Sequence, residues 1–321
     1  MQQGAAPQVS VGIPVYNGEN YVAHAIESVL TQTFRDFELI ICDNASTDRT
    51  EKICRRYAAQ DSRVRYVRNE RNLGAAPNFN RCFHLSTGEY FKWQASDDAL
   101  EPTFLERCVA LLDANADAVL CQSHVAIIDE NGETLEIYEG DLPGIGSPRI
   151  SDRFGAAILP HKVMDFFGLM RRPVLAGTLL HADFPGADRV LVAQLALRGR
   201  FLRIAEPLFL NRNHPDRYQR AICLAERATW HNSSSTNPVV VPSLTVYRWY
   251  IREMRRQVDE PAERLRCYGH LLRWWTQKMV LKRLFWDLLA ALVGPRGSDE
   301  IHMRYNRLKE RLLPHLGGKV F

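Results

Sequence analysis

Residues 40–50 read IICDNASTDRT. An apolar, β-branched run stops abruptly on Asp43 and Asn44. Small hydroxyl residues follow, and Asp48 stands three positions ahead of Glu51, a helix start of the capping-box type. A strand that is apolar on both faces and ends on a carboxylate suits a parallel sheet, whose ligands gather beyond the carboxyl ends of its strands.

Working outward, the same unit recurs. VSVGI (9–13) reads as a strand, and Val22, Ile26, Val29 and Leu30 mark one face of the helix after it. FELIIC (37–42) is the second strand, with Ile53 and Tyr57 in its helix, and VRYV (64–67) is the third. A helix over 78–86 precedes EYFKWQ (89–94), which runs into ASDDALEP. Pro102 opens a helix carrying Phe104, Leu105, Cys108, Leu111 and Leu112, and DAVLCQ (117–122) is a fifth strand. Strands alternating with helices predict an α/β fold, a mainly parallel sheet with helices on both faces. Asp43, Asp97 and Asp98 all fall just past strand ends, where one crevice would collect them.

Residues 125–185 read as irregular. A helix over 187–198 carries Leu191, Val192 and Leu195, with Gly199 as its stop, and strand-like pieces follow. After Asn237 the chain turns to Arg- and Trp-rich helices, which predicts a body over 1–236 and a C-terminal helical extension over 237–321. Residues 248–321 hold 16 Lys or Arg and 8 Asp or Glu, leaving 25 and 29 in 1–247. The basic tail has no nucleic-acid reading motif beside it, so nucleic acid is not an expected partner. Its segment 270–297 is broken by Lys282, Arg283 and Asp287, too often for a bilayer span. Two readings of it stay open: a helix lying at a membrane interface, or one packed on the body or on a second copy as a homodimer. Seven scattered cysteines without C-x-x-C, and an N-terminus without an apolar leader, point to a cytoplasmic protein, with the inner face of the membrane as its alternative station.

Adjacent carboxylates without cysteine suit a hard cation such as Mg2+ or Mn2+ together with phosphate oxygens. A solvated turn explains a bare Asp-Asp pair as well. Neither a P-loop nor a dinucleotide fingerprint is present. IPVYN, CDNASTDRT, NLGAAPNFNRCF and GEYFKWQASDD occur in order, each at a strand end or helix start, and together they resemble a family 2 glycosyltransferase of the GT-A (Rossmann-like) fold over about residues 8–220.

That resemblance implies inverting transfer of a sugar from a nucleotide diphosphate donor, a UDP-sugar first, with Mn2+ or Mg2+. The acceptor would be a glycan or lipid-linked hydroxyl in cell-surface polysaccharide synthesis. It would place Pro14, Tyr16 and Glu19 along the nucleotide, Tyr16 against the base, and Asp43 as acceptor of a hydrogen bond from the base. Asn72, Gly74, Asn78 and Asn80 would follow the base and ribose, Asp97 would stand by ribose and metal, and Asp98 would bind the metal. Ala95 stands where many members carry a further acid, which predicts weak metal affinity. Asp188 is the candidate general base, with Asp183 as its alternative; an Asp at a helix start also serves as a cap. His214 would complete the metal shell or join Arg217 at the diphosphate, although an ordinary loop histidine explains it too. Arg171 and Arg172 fit an anionic ligand or a solvated turn equally, and the alternation of its strand puts Trp93 in the core. A non-catalytic nucleotide-sugar or glycan-binding module of the same fold is the alternative function; a nucleotidyltransferase ranks last, because PVYNGEN holds no Lys or Arg for a triphosphate.

Overall fold

A computed structural model describes residues 6–215 and 241–294, with positions 297, 301 and 304. The first half alternates as its apolar periodicity requires: β1 (Val9–Val15), α1 (Val22–Leu30), β2 (Phe37–Asp43), α2 (Thr50–Gln60), β3 (Val64–Arg68), α3 (Ala75–Leu85), β4 (Tyr90–Trp93), β5 (Ala99–Leu100) and α4 (Phe104–Ala114). Then come β6 (Ala118–Ile128), β7 (Thr134–Tyr138), α5 (Ile150–Ile158), a 3-10 turn (Met164–Phe167), β8 (Leu169–Arg171), α6 (Arg172–Ala176), α7 (Ala187–Ala196) and β9 (Arg200–Arg212). Three helices close the described chain: α8 (Pro242–Gln257), α9 (Pro261–Trp275) and α10 (Lys278–Val293).

The strands form one mixed sheet in the order β3-β2-β1-β4-β8-β6-β9-β5, with β7 against β6. β3, β2, β1 and β4 run parallel, as does β6 with β9; β8, β5 and β7 pair antiparallel. Alternation splits the core. Val9, Val11, Ile13, Leu39 and Ile41 face α1, α2 and α4, while Ile40, Cys42, Phe91 and Trp93 face α3, α5 and α7.

The stretch expected to be irregular holds β7, α5, β8 and α6. Gly155 in mid-α5 is required by packing, because a Cβ there would meet the His270 ring of α9 at 2.4 Å. The boundary expected at 236/237 lies outside the described residues; beyond it, Tyr250, Met254, Leu271 and Trp274 are buried in the same core as α7. The six cysteines among the described residues are free and buried. Among these residues no helix is long and apolar enough to cross a membrane.

Candidate functional site

The loops after β1, β2, β4 and β9 meet at one edge of the sheet. β1 lies between β2 and β4, so its loop touches both neighbours. The backbone N–H groups of Asn17, Gly18 and Glu19 donate to Ser46 Oγ (2.9 Å), Thr50 Oγ1 (2.8 Å) and Asp48 Oδ2 (3.0 Å). On the other side, a Cβ on Gly18 would stand 3.6 Å from Ser96 Oγ. The Tyr21 ring lies 4.7 Å from the His214 ring, and the Arg212 guanidinium lies 5.0 Å from the Tyr21 ring, tying in β9. Strand ends far apart in the chain thus share one rim.

Asp43 has no exposed surface. Its Oδ1 accepts from Ser46 N (2.8 Å), and its Oδ2 accepts from Tyr66 Oη (2.6 Å) and Arg68 Nη1 (2.8 Å). Burial, then this carboxylate, pushes the Tyr66 phenol up, so it stays a donor. Sequence reasoning missed both partners, although Arg68 is directly in register with Asp43. In this arrangement the carboxylate fastens β2 to β3, and a base would reach it only after Arg68 swings away.

The neighbouring amides form a lattice. Asn44 Nδ2 donates to Asn72 Oδ1 (2.8 Å) and Gly74 O (3.1 Å), and Asn69 Nδ2 donates to Asn44 Oδ1 (2.8 Å) and Asn78 Oδ1 (3.0 Å). Asn78 Nδ2 donates to Cys42 O at 2.8 Å. Gly74, at φ +90, turns the chain into α3, a conformation that costs other residues strain. The buried Asn78 therefore shapes the loop from beneath, while Asn72 is exposed. Asn80 is engaged on both amide atoms by the His181 backbone, which ties α3 to the segment before α7. Pro14 is buried in β1. Glu19 accepts from Arg49 N (3.0 Å) and Nε (2.9 Å) at the start of α2, so its carboxylate is committed to that turn. The capping box expected of Asp48 and Glu51 is replaced by this exchange: Asp48 Oδ1 takes Thr50 N (2.9 Å), and Glu51 turns to Arg55 and Arg68. Tyr16, by contrast, is 48% exposed on the rim.

The two adjacent acids separate in role. Asp98 is 1% exposed; its Oδ1 accepts from Arg212 N (2.8 Å) and Asn211 Nδ2 (3.1 Å), and its Oδ2 from Asn211 Nδ2 (3.0 Å). Asp97 turns outward, its Oδ2 3.1 Å from His214 Nε2. His214 Nδ1 is buried and has no hydrogen-bond partner among the described residues. Arg212 frames the pair by donating to Asp97 O (3.0 Å) and lying 2.9 Å from His24 Nδ1. Burial first and Arg212 second hold His24 below the ordinary imidazole range, so its Nδ1 is free to accept. Among the described residues no group of three or more His, Cys, Asp or Glu gathers as a metal cage. Asp97 and His214 nevertheless supply one oxygen and one nitrogen donor side by side, a fit for a cation that takes its remaining oxygens from phosphates and water.

Asp188 lies in the first turn of α7 after Gly186, half-buried, with Oδ1 accepting from Arg189 N (2.9 Å). It lies within electrostatic reach of His181, held low first by burial, and of the buried phenol of Tyr250, pushed up first by burial. Asp183 is exposed. Arg217 lies outside the described residues. Arg171 and Arg172 do not face this edge: Arg171 is in register with Tyr90 at the start of β4 and donates to Ala118 O (2.8 Å) and Leu112 O (2.6 Å), while Arg172 donates to Ser86 Oγ (3.0 Å). Trp93 is core, donating to Phe79 O (2.8 Å) and stacking on Phe166 at 5.0 Å.

The architecture is matched by solved structures at low sequence identity. S. aureus TarS 1-349 in complex with UDP aligns with a TM-score of 0.60 at 16% identity, covering 98% of this chain and 94% of that one. The mannosyltransferase PcManGT from Pyrobaculum calidifontis, in complex with GDP-Man and Mn2+, aligns with a TM-score of 0.52 at 16% identity, over 89% and 87%. The mixed sheet and its helices define a GT-A-type fold. Residues 10–175 match the model of glycosyl transferase family 2, and the chain belongs to that family. Among its relatives, the putative glycosyltransferase EpsE of Bacillus subtilis (strain 168) is 38% identical over 129 residues, 40% of this chain and 46% of that protein. Chondroitin synthase of Escherichia coli is 40% identical over 103 residues, 32% and 15% of the two. These alignments span less than half the length of either relative.

Proposed function

We propose that the protein is an inverting, metal-dependent glycosyltransferase that uses a UDP-sugar and a glycan or lipid-linked hydroxyl acceptor in cell-surface polysaccharide synthesis at the cytoplasmic side. The observation that carries this reading is the Asp97–His214 pair on a rim shared with exposed Tyr16, at the strand ends where a parallel sheet binds its ligand. Tyr16 offers a stacking face for the base, and Asp43 offers its carboxylate once Arg68 is displaced. Of Asp98, Asp97 and His214, we assign the cation to Asp97 and His214, because both Asp98 oxygens accept from Asn211 and Arg212 N. A bound Mn2+ or Mg2+ would neutralise charge developing on the departing diphosphate. Asp188 would take the proton from the acceptor hydroxyl as that oxygen attacks the far face of the sugar. UDP-bound TarS and the GDP-Man and Mn2+ complex of PcManGT support the donor class and the cation.

The test is calorimetry of UDP with and without Mn2+, beside turnover of UDP-sugars. Metal-dependent UDP binding that is lost in Asp97→Asn, together with turnover lost in Asp188→Asn, is expected. UDP binding without turnover on any donor would favour the binding-module alternative, and UDP binding indifferent to Mn2+ and to Asp97 would overturn the metal assignment.

A further inference from the structure

The C-terminal helices carry an apolar stripe that no element among the described residues buries. On α10 only Val280 is buried, whereas Leu281, Phe285, Leu288 and Leu292 are 50%, 59%, 46% and 84% exposed. Their spacing of four, three and four residues puts them on one side of the helix. Lys278 and Lys282, both exposed, run along that stripe, each three residues before one of its apolar members. The combination recurs on α9, where exposed Leu265 and Leu272 are each followed by an exposed arginine, Arg266 and Arg273.

Charge decides between occupants. Residues 261–293 carry six Lys or Arg and two Asp or Glu. Both acids are engaged: Glu263 accepts from Arg266 and from Ser151 N, and Asp287 accepts from Ser243 N. A second copy would bring Lys278 and Lys282 against a like-charged face. The a/d-type seam runs for only two heptads, shorter than the three or four that sustain a coiled coil. An anionic lipid surface meets both features at once: its acyl boundary takes the leucines and phenylalanine, and its headgroups attract the lysines and arginines.

We propose that α9 and α10 form a docking face for an anionic bilayer, on which the protein lies without crossing it. The inference is independent of the nucleotide site, and its test needs neither donor nor metal. Full-length protein is co-sedimented with phosphatidylglycerol/phosphatidylcholine vesicles and with pure phosphatidylcholine vesicles at low and high salt. Binding to the anionic vesicles alone, weakened by salt, is expected. Phe285→Asp with Leu288→Asp should cut that binding roughly tenfold or more, from the loss of two apolar side chains to the acyl boundary. Lys278→Glu with Lys282→Glu should cut it about fivefold or more per residue and flatten the salt dependence. Both variants should keep the wild-type circular dichroism and thermal midpoint. Equal binding to both vesicle types, or anionic binding unchanged by the Asp variant, would overturn the proposal. So would a wild-type dimer in solution that the Asp variant converts to monomer, which would assign the stripe to a second copy.

Discussion

Lys92 lies in β4, five residues before Asp97, with no exposed surface. Its ammonium donates to Phe167 O and to Trp93 O (3.3 Å), and it lies 4.8 Å from the rings of both Phe104 and Phe209. Burial drives its pKa down from 10.5 to about 7. Such a shift means that the folded state binds fewer protons than the unfolded chain between those two values. The penalty of the buried ammonium is therefore fully present below pH 7 and is relieved as pH rises toward the unfolded pKa near 10.4. At about 1.4 kcal/mol per unit, the relief amounts to roughly 5 kcal/mol. The two rings oppose this by stabilising the cation by about 1–2 kcal/mol each where water is excluded, which leaves a net relief of roughly 1–3 kcal/mol over the whole titration. Lys92→Met removes the titration while keeping most of the volume, so the difference between the two proteins isolates it from every other group. Urea melts at pH 6.5, 8 and 9.5 measure that difference. Relative to Lys92→Met, the wild type should gain stability mainly between pH 8 and 9.5 and change little between pH 6.5 and 8, because the rings move the relief upward in pH. A difference that is flat with pH would show that the aromatic cage and carbonyls hold the ammonium charged, and would refute the argument from burial.

Ala45, at φ +62 in the turn after Asp43, holds a left-handed conformation that an L-residue adopts at a cost of about 1–2 kcal/mol. Ala45→Gly should therefore raise stability by roughly 0.5–1 kcal/mol after the larger unfolded-state entropy of glycine, read as a higher thermal midpoint. Asn78→Ala removes the side-chain donor to Cys42 O and one of the two acceptors of Asn69 Nδ2, which keeps Asn44 Oδ1, and should cost about 1–3 kcal/mol in urea melts, while weakening UDP binding through the 69–74 loop. Asp98→Ala should weaken Mn2+-dependent UDP binding in calorimetry and lower stability together, because Asn211 and Arg212 N lose their acceptor; Asp97→Asn should do the first and leave the melt near wild type.

Much of the candidate site's edge was legible because strands buried on both faces announce themselves, and the side chains that end them must point beyond the sheet. Alternation alone assigned Trp93 to the core. What escaped was whatever depended on a partner distant in the chain. Asp98 and Asp97 look equivalent as neighbours, but Asn211 and Arg212, 113 and 114 residues later, separate them. The Arg171–Arg172 pair stayed open between an anionic ligand and a solvated turn because sequence carries no sense of which end of β4 it would meet; the antiparallel pairing Tyr90↔Arg171 puts it at the opposite end.

The same limit explains the middle of the chain. β9 reads as fragments because Pro207 interrupts it, yet it runs as one strand of 13 residues. Its register against β6 slips on either side of His124, opposite Pro207, so the bulge accommodates the missing N–H. The strand must be continuous for the site to exist: its far end presents Asn211, Arg212 and then His214 to Asp98 and Asp97, while Arg200 at its start is anchored to Asp117 by paired bonds of 2.6 and 2.7 Å. A strand that reads as separate pieces in one dimension is thus what carries the imidazole across the sheet to the carboxylate. Insertion of a residue within 208–210 would shift that end by one register position and turn Asn211 away from Asp98, separating His214 from Asp97 without touching either.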